Sequence, residues 1–273
     1  MALDALLDAG HDLRLVVTRP DKRRGRGAAL VPTPVKAAAA RRSIPVSSDI
    51  SEVTTAGAEL GIVVAYGRII KPDILAALPM VNVHFSLLPR WRGAAPVERA
   101  ILAGDPVTGV CLMEVEEGLD TGAVYRRQET PIGPQETAGE LTGRLARMGA
   151  DLLVRALAEG LGRPVPQEGE VTYAGKIEPG DLRLEWERPA AELQRVVRLG
   201  RAWTTWSGHR LRVLAAAPVT AGVPAGAAAG TLHGDVVATG RGGLRLELVQ
   251  PEGKRPMPGA DWLRGARIDA LGT

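Results

Sequence analysis

The stretch Val81-Asn82-Val83-His84-Phe85-Ser86-Leu87-Leu88-Pro89 holds an amide and an imidazole two residues apart. On an extended strand such residues project from one side. Asn82 and His84 therefore share a face, and Val81, Val83 and Phe85 take the other. The strand runs out into Ser-Leu-Leu-Pro, which puts the polar pair at its carboxyl end, where open parallel sheets bind ligands. An amide NH2 can donate to a developing oxyanion, and an imidazole can move a proton near neutral pH. The pair suits acyl chemistry. Downstream, Glu117-Gly118-Leu119-Asp120-Thr121-Gly122 forms a glycine-bracketed loop. Its Asp120 carboxylate can orient an imidazole or raise its basicity. The plain alternative is structural: a framework histidine on a strand, and an aspartate serving a turn. Spacing alone leaves both readings open.

The elements that must position these groups alternate. Residues 2–9 read as a helix stopped by Gly10, 12–17 as a buried strand, 34–42 as a short helix and 61–65 as a second strand. A helix near 73–78, a strand at 81–85, a helix at 96–103 and a strand at 108–115 follow. A long amphipathic helix covers 136–159, with Leu141, Leu145, Met148, Leu152 and Leu153 on one face. Strand–helix alternation predicts an α/β, doubly wound, mostly parallel sheet. After about residue 160 the pattern changes. Pro164, Pro166, Gly169 and Gly180 mark a linker, then come a helix near 190–199 and short strands at 210–215, 230–233, 235–239 and 243–249. That is the signature of a small β barrel or sandwich, and an OB-like barrel is the expected form. The expected divisions are 1–165, a linker at 166–184, and 185–273.

Composition bounds the possibilities. A single cysteine, Cys111, excludes an intrachain disulfide and a cysteine-cluster metal site, and points to a reducing cytoplasm. No apolar run is long enough for a membrane-spanning helix. The net charge of +3 hints only mildly at an anionic partner. Its distribution says more: between Thr18 and Pro34, Arg19, Lys22, Arg23, Arg24 and Arg26 lie among glycines and prolines. Such a run is by default a solvated surface.

Asn-x-His followed by Ser-Leu-Leu-Pro, with Gly-Leu-Asp-Thr-Gly downstream, resembles the 10-formyltetrahydrofolate-dependent formyltransferases. Their catalytic Asn and Asp are 38 positions apart, as Asn82 and Asp120 are here. Arg-Pro-Asp-Lys and Gly-Arg-Gly within 19–27, Pro-Thr-Pro-Val-Lys at 32–36, Leu-Leu-Pro-Arg-Trp-Arg-Gly-Ala-Ala-Pro at 87–96 and Thr-Tyr-Ala-x-Lys-Ile at 172–177 narrow the likeness to the branch that formylates methionyl initiator tRNA. The resemblance covers nearly the whole chain. It implies Asn82, His84 and Asp120 as catalytic residues, with no metal. It implies that Ser86, Leu87, Leu88 and Pro89, with Arg68, Ile69 and Ile70, line the site of the folate donor; a plain strand-to-helix turn is the alternative for Arg68. It implies that the basic loop meets the tRNA acceptor end through Arg26, Arg24 and Lys22, with Lys176 and the basic residues Arg198, Arg201, Arg210 and Arg212 extending the track. A cytoplasmic monomer, off the membrane, is expected. The alternatives are a formyltransferase for a small amine and an inactive RNA- or folate-binding relative.

One departure is visible. Members of the family open with a strand and a Gly-Thr-Pro loop, and this sequence opens on the helix at Ala2. The expectation is that a first strand, central in the sheet, is lacking, and that the full protein is about 15 residues longer or else a truncated copy.

Overall fold

The computed structural model describes residues 1–24, 29–266 and 268–272. They form two compact units: Met1–Pro96, Val107–Pro131 and Gly143–Ala174 make up the first, and Val97–Pro106, Ile132–Thr142 and Gly175–Thr273 the second.

In chain order, the elements up to the end of the first unit are α1 (Ala2–Asp8), β1 (Val16–Val17), β2 (Lys22–Arg24), β3 (Ala29–Val31), α2 (Pro34–Arg41), β4 (Val46–Ser47), β5 (Gly61–Val63) and α3 (Pro72–Ala77), then β6 (Met80–His84), β7 (Arg92–Gly93), α4 (Pro96–Ala103), β8 (Val107–Glu114), β9 (Val124–Pro131), α5 (Ala138–Glu159) and β10 (Tyr173–Ala174). Local chemistry sets several boundaries. Thr33 caps α2, accepting from the Lys36 N–H, and Pro34 takes the first helical position. Thr137 and Glu140 bond reciprocally in a capping box, which starts α5 at Ala138.

Two ladders build the sheet layer. β1 pairs with β4 in parallel. β5, β6, β8 and β9 form a four-stranded sheet in that order, with β5 and β6 parallel and β8 and β9 antiparallel additions. An antiparallel edge on a parallel sheet is common in doubly wound folds. Among the described residues, no strand is hydrogen-bonded between the β1–β4 ladder and β5. The burial follows: Val16, Val17, Ile62 and Val63 are half-buried, whereas Val81, Val83, Val110 and Leu112 are buried. On α5, Leu141, Leu145, Leu152 and Leu153 are buried, and Gly149 approaches Val83, Val110 and Phe85.

The second unit adds α6 (Ala190–Val197), β11 (Trp203–Trp206), β12 (His209–Val219), β13 (Leu232–His233), β14 (Val236–Ala238), β15 (Gly243–Pro251), β16 (Met257–Pro258) and α7 (Gly259–Ala266). The strands form one antiparallel sheet, ordered β11-β12-β15-β14-β13, with β16 on β15. Its core gathers Trp186, Leu193, Val196, Leu211, Val213, Val237, Leu244, Leu246, Val249 and Trp262.

Several elements differ from the sequence reading. The strand expected at 12–17 is reduced to β1, because β4 offers it a two-residue ladder and because Asp12 and Arg14 pair with each other in solvent. β5 ends at Val63 rather than at residue 65. Part of the basic stretch expected to be loop is the antiparallel pair β2–β3. β9, β11 and α7 were not expected. β9 carries Arg126, Arg127, Gln128 and Glu129, and it forms because β8 supplies seven residues of backbone partners. β11 joins β12 through Ser207-Gly208, both at positive φ, the requirement of a tight hairpin turn.

Candidate active site

β6 delivers two of the three expected groups. Its ladder to β5 sets Asn82 opposite Val63, and its ladder to β8 sets His84 opposite Cys111. Val81 and Val83 bury the other face. His84 is itself buried, and Asn82 is half-buried.

The imidazole is held at Nε2, which lies 2.9 Å from the carbonyl oxygen of Trp91. A carbonyl can only accept, so Nε2 carries a hydrogen and the neutral ring keeps Nδ1 bare. Nδ1 faces Oδ2 of Asp120 at 3.7 Å. That is beyond a hydrogen bond, yet a proton taken up at Nδ1 arrives between ring and carboxylate. The same Oδ2 accepts from the Gly93 N–H at 2.7 Å, a short charge-assisted bond, and Oδ1 lies 3.5 Å from Nδ2 of Asn82. Residues 38 positions apart thus converge on one carboxylate.

Two non-glycine residues here sit at positive φ: Trp91 at 63° and Asp120 at 50°. Aspartate tolerates this region, whereas for a bulky tryptophan it costs about 1–3 kcal/mol. The cost is met by neighbours. Trp91 N–H donates to Thr172 Oγ1 at 2.9 Å, Arg92 N–H to the Thr172 carbonyl at 2.9 Å, and Ala94 N–H to the Ala174 carbonyl at 2.8 Å. This turn aims the Trp91 carbonyl at His84. The Arg90 guanidinium covers the Trp91 ring, 4.5 Å from its centroid.

The remaining expected residues fall into three groups. In Ser-Leu-Leu-Pro, the side chains of Ser86 and Leu88 are taken up by the protein's own framework. Ser86 Oγ donates to the Arg90 carbonyl at 2.6 Å, and Leu88 packs with Cys111, Met113 and Val124. Pro89, after a cis Leu88–Pro89 bond, is buried, and Leu87 is half-buried. In the loop after β5, Arg68 and Ile69 are exposed, with Ile69 at 81 %. Ile70 is instead a core residue against Ile74, Leu78 and Met80. That loop leaves β5 at the edge where His84 ends β6. Among the basic residues, Lys22 and Arg24 lie on β2. Arg26 falls outside the described residues. Lys176 is exposed in the second unit, and its carbonyl accepts from Arg99 Nη2. Arg198 is half-buried and bonds the carbonyls of Glu136 and Gly133 at 2.8 Å each.

Sequence reasoning missed Trp91, Gly93 and Gln167 as parts of this constellation. Trp91 and Gly93 lay inside a quoted motif but contribute backbone groups, which residue type does not announce. Elsewhere, a cavity of about 390 Å³ lies at the carboxyl ends of β1 and β4, lined by Thr18, Arg19, Asp21, Lys36 and Ser47. There Lys36 is paired with Asp21 at 2.8 Å. Among the described residues, no three or more His, Cys, Asp or Glu side chains cluster to hold a metal, and no helix is long and apolar enough to cross a membrane.

Comparison with known proteins bears on this arrangement. Residues 1–157 match the family model described as formyl transferase, and residues 176–267 match that of the formyl transferase C-terminal domain. A methionyl-tRNA formyltransferase of Symbiobacterium thermophilum is 42 % identical over 297 residues, covering 100 % of this chain and 90 % of that protein. Among solved structures, a methionyl-tRNA formyltransferase from Clostridium thermocellum aligns with a TM-score of 0.55 at 16 % identity, covering 74 % of this chain and 92 % of that one. WlaRD, a sugar 3N-formyl transferase, aligns with a TM-score of 0.67 at 16 % identity, covering 93 % and 94 %. The two structures share the fold. The family models and the identity over the full length go further: this chain belongs to the formyl transferase family.

Proposed function

We propose that this protein transfers a formyl group from 10-formyltetrahydrofolate to the α-amino group of methionine carried on initiator tRNA. The observation that carries the reading is the convergence of Asn82, His84 and Asp120 at the carboxyl end of β6, with Asp120 reaching 3.5 Å from the amide and 3.7 Å from the imidazole. The full-length identity to a methionyl-tRNA formyltransferase selects the acceptor.

The chemistry is acyl transfer. The neutral amine attacks the formyl carbon, forming a C–N bond and placing negative charge on the formyl oxygen. Collapse breaks the bond to N10 of the folate. One proton must leave the attacking nitrogen and one must reach the departing nitrogen, so the step balances without an external acid. Asn82 Nδ2, weakly held at 3.5 Å by Asp120, is free to turn its hydrogens toward the oxyanion. His84, with Nε2 committed to Trp91, exchanges its proton at Nδ1, on the Asp120 side. Asp120 stabilises that imidazolium and relays the proton, directly or through water.

The exposed Ile69 and Arg68, in the loop that follows the carboxyl end of β5, support an apolar wall with a cationic rim for the folate. In the second unit, the ring of Trp203 has the Arg210 guanidinium 4.4 Å and the Arg183 guanidinium 5.8 Å from its centroid. Such an aromatic–cation surface suits RNA better than a small amine. The metal-free mechanism, the monomeric state and the cytoplasmic location belong to the same proposal.

The test is formyl transfer to methionyl initiator tRNA from 10-formyltetrahydrofolate, beside His84→Ala. Transfer that falls at least a hundredfold in the variant supports the reading. Absence of transfer to tRNA, together with transfer to a sugar amine, would replace the acceptor.

A further inference from the structure

Residues 165–174 lie wholly between the regions matched by the N- and C-terminal family models, 1–157 and 176–267. This stretch runs on the surface, and its burial is inverted. Val165, Pro166, Glu168, Gly169 and Glu170 are exposed, while Gln167 is half-buried. A surface segment that shows its valine and withdraws its amide asks what the amide holds.

Gln167 uses its full hydrogen-bonding capacity. Nε2 donates to the carbonyl of Asp120 at 2.9 Å and to the carbonyl of Gly122 at 2.8 Å. Oε1 accepts a fork from Arg92, Nε at 3.0 Å and Nη2 at 2.7 Å. Arg92 is flanked by Trp91, whose carbonyl accepts the hydrogen bond from His84 Nε2, and by Gly93, whose N–H holds Asp120. The amide therefore ties the two loops that meet across His84, and it holds Asp120 by its backbone while Gly93 holds it by its carboxylate.

We infer that Gln167 is a positioning residue for the formyl-transfer step, fixing the Asp120 loop against the Trp91–Gly93 turn so that the carboxylate faces Nδ1 of His84. The inference rests on the reading of Asp120 as part of the reacting site. A glutamine is required because both halves of the amide act: a glutamate keeps the pair with Arg92 but turns a carboxylate on two carbonyl oxygens, and an alanine loses both.

Steady-state kinetics of Gln167→Ala, Gln167→Glu and Asp120→Asn, with 10-formyltetrahydrofolate and methionyl initiator tRNA, test this, beside thermal melting of each. The expected result is a kcat lower by about ten- to a hundredfold in both Gln167 variants, the order that an ångström of misplacement brings, with KM for either substrate changed less than about threefold. A role confined to stapling the surface segment predicts otherwise: Gln167→Glu, with an ion pair to Arg92, would keep wild-type kcat, and that result overturns the inference. A loss carried by KM, or a wild-type kcat in Gln167→Ala, overturns it as well. If Gln167→Ala melts below the assay temperature, Gln167→Glu decides alone. Asp120→Asn separates the two levels. A large loss there with active Gln167 variants defeats the positioning role only, whereas full activity in Asp120→Asn defeats the site reading itself.

Discussion

Replacing Gly122 by alanine adds one methyl group at the most constrained point of the active-site loop. A Cβ there would lie 2.0 Å from the carbonyl oxygen and 2.8 Å from the carbonyl carbon of Glu114. The obstacle is backbone of β8, which cannot swing aside as a side chain does. A carbon and an oxygen normally stay about 3.3 Å apart, so the loop must retreat by roughly 1.3 Å. Asp120, two residues away, is held by a 2.7 Å bond to Gly93 and stands 3.7 Å from His84. A retreat of that size breaks the first and lengthens the second. Misplacement of about 1 Å costs on the order of a hundredfold in rate, or about 2.7 kcal/mol of barrier. The expected outcome for Gly122→Ala is therefore a kcat about a hundred times lower with KM for methionyl-tRNA little changed, in a protein that still melts cooperatively. Formyl transfer under saturating substrates measures it. A folded variant with kcat within about threefold of wild type would refute the reasoning, because the loop would then accommodate the methyl without moving the carboxylate.

Two further outcomes follow from packing and charge. In Gly149→Ala the new Cβ would meet Val83 Cγ1 at 2.7 Å and Val110 Cγ1 at 3.3 Å, inside α5. The helix gains about 1 kcal/mol from alanine, and overpacking two χ1-restricted buried valines costs about 1–3 kcal/mol. Net destabilisation is expected as a lower denaturant midpoint, and an unchanged or higher midpoint would show that α5 shifts freely. Asp181 is held below the usual aspartate range, first by the Glu178 N–H and then by the Arg99 guanidinium at 2.9 Å. A carboxylate depressed in the folded state adds stability above its unfolded value of about 3.9, and this is lost as pH falls through the lower folded value. The stability gap between wild type and Asp181→Asn should thus be open at pH 7 and close progressively below about pH 4; denaturant titrations across that range show whether it does.

The alternation of Asn82 and His84 with Val81 and Val83 needed nothing beyond the period of a strand, and β6 is that strand, although burial does not separate its faces: His84 is as buried as the two valines, and only Asn82 is half-buried. The spacing of Leu141, Leu145, Leu152 and Leu153 likewise announced α5, whose start at Ala138 is set by the capping box of Thr137 and Glu140. These are local features, decided by side-chain direction and by bonds within a few residues. Other features were settled by partners distant in the chain. β9 is a strand because β8 offers it a ladder, despite five consecutive polar residues, Arg126 to Thr130. Ile70 and Leu88 look alike as apolar residues beside a site, and only packing shows both to be core. Backbone groups are invisible to residue type, so the Trp91 carbonyl on His84 and the Gly93 N–H on Asp120 emerge with the fold. Gln167 carries no motif and no periodicity. Its meaning comes from two carbonyls 45 and 47 residues before it and an arginine 75 residues before it. The sequence by itself put Asn82 and His84 on one face of one strand, and its motifs singled out Asp120 as their partner. Tertiary structure decided which backbone atoms hold them, because a hydrogen bond depends on where two chain segments meet, and that depends on the packing of the whole unit.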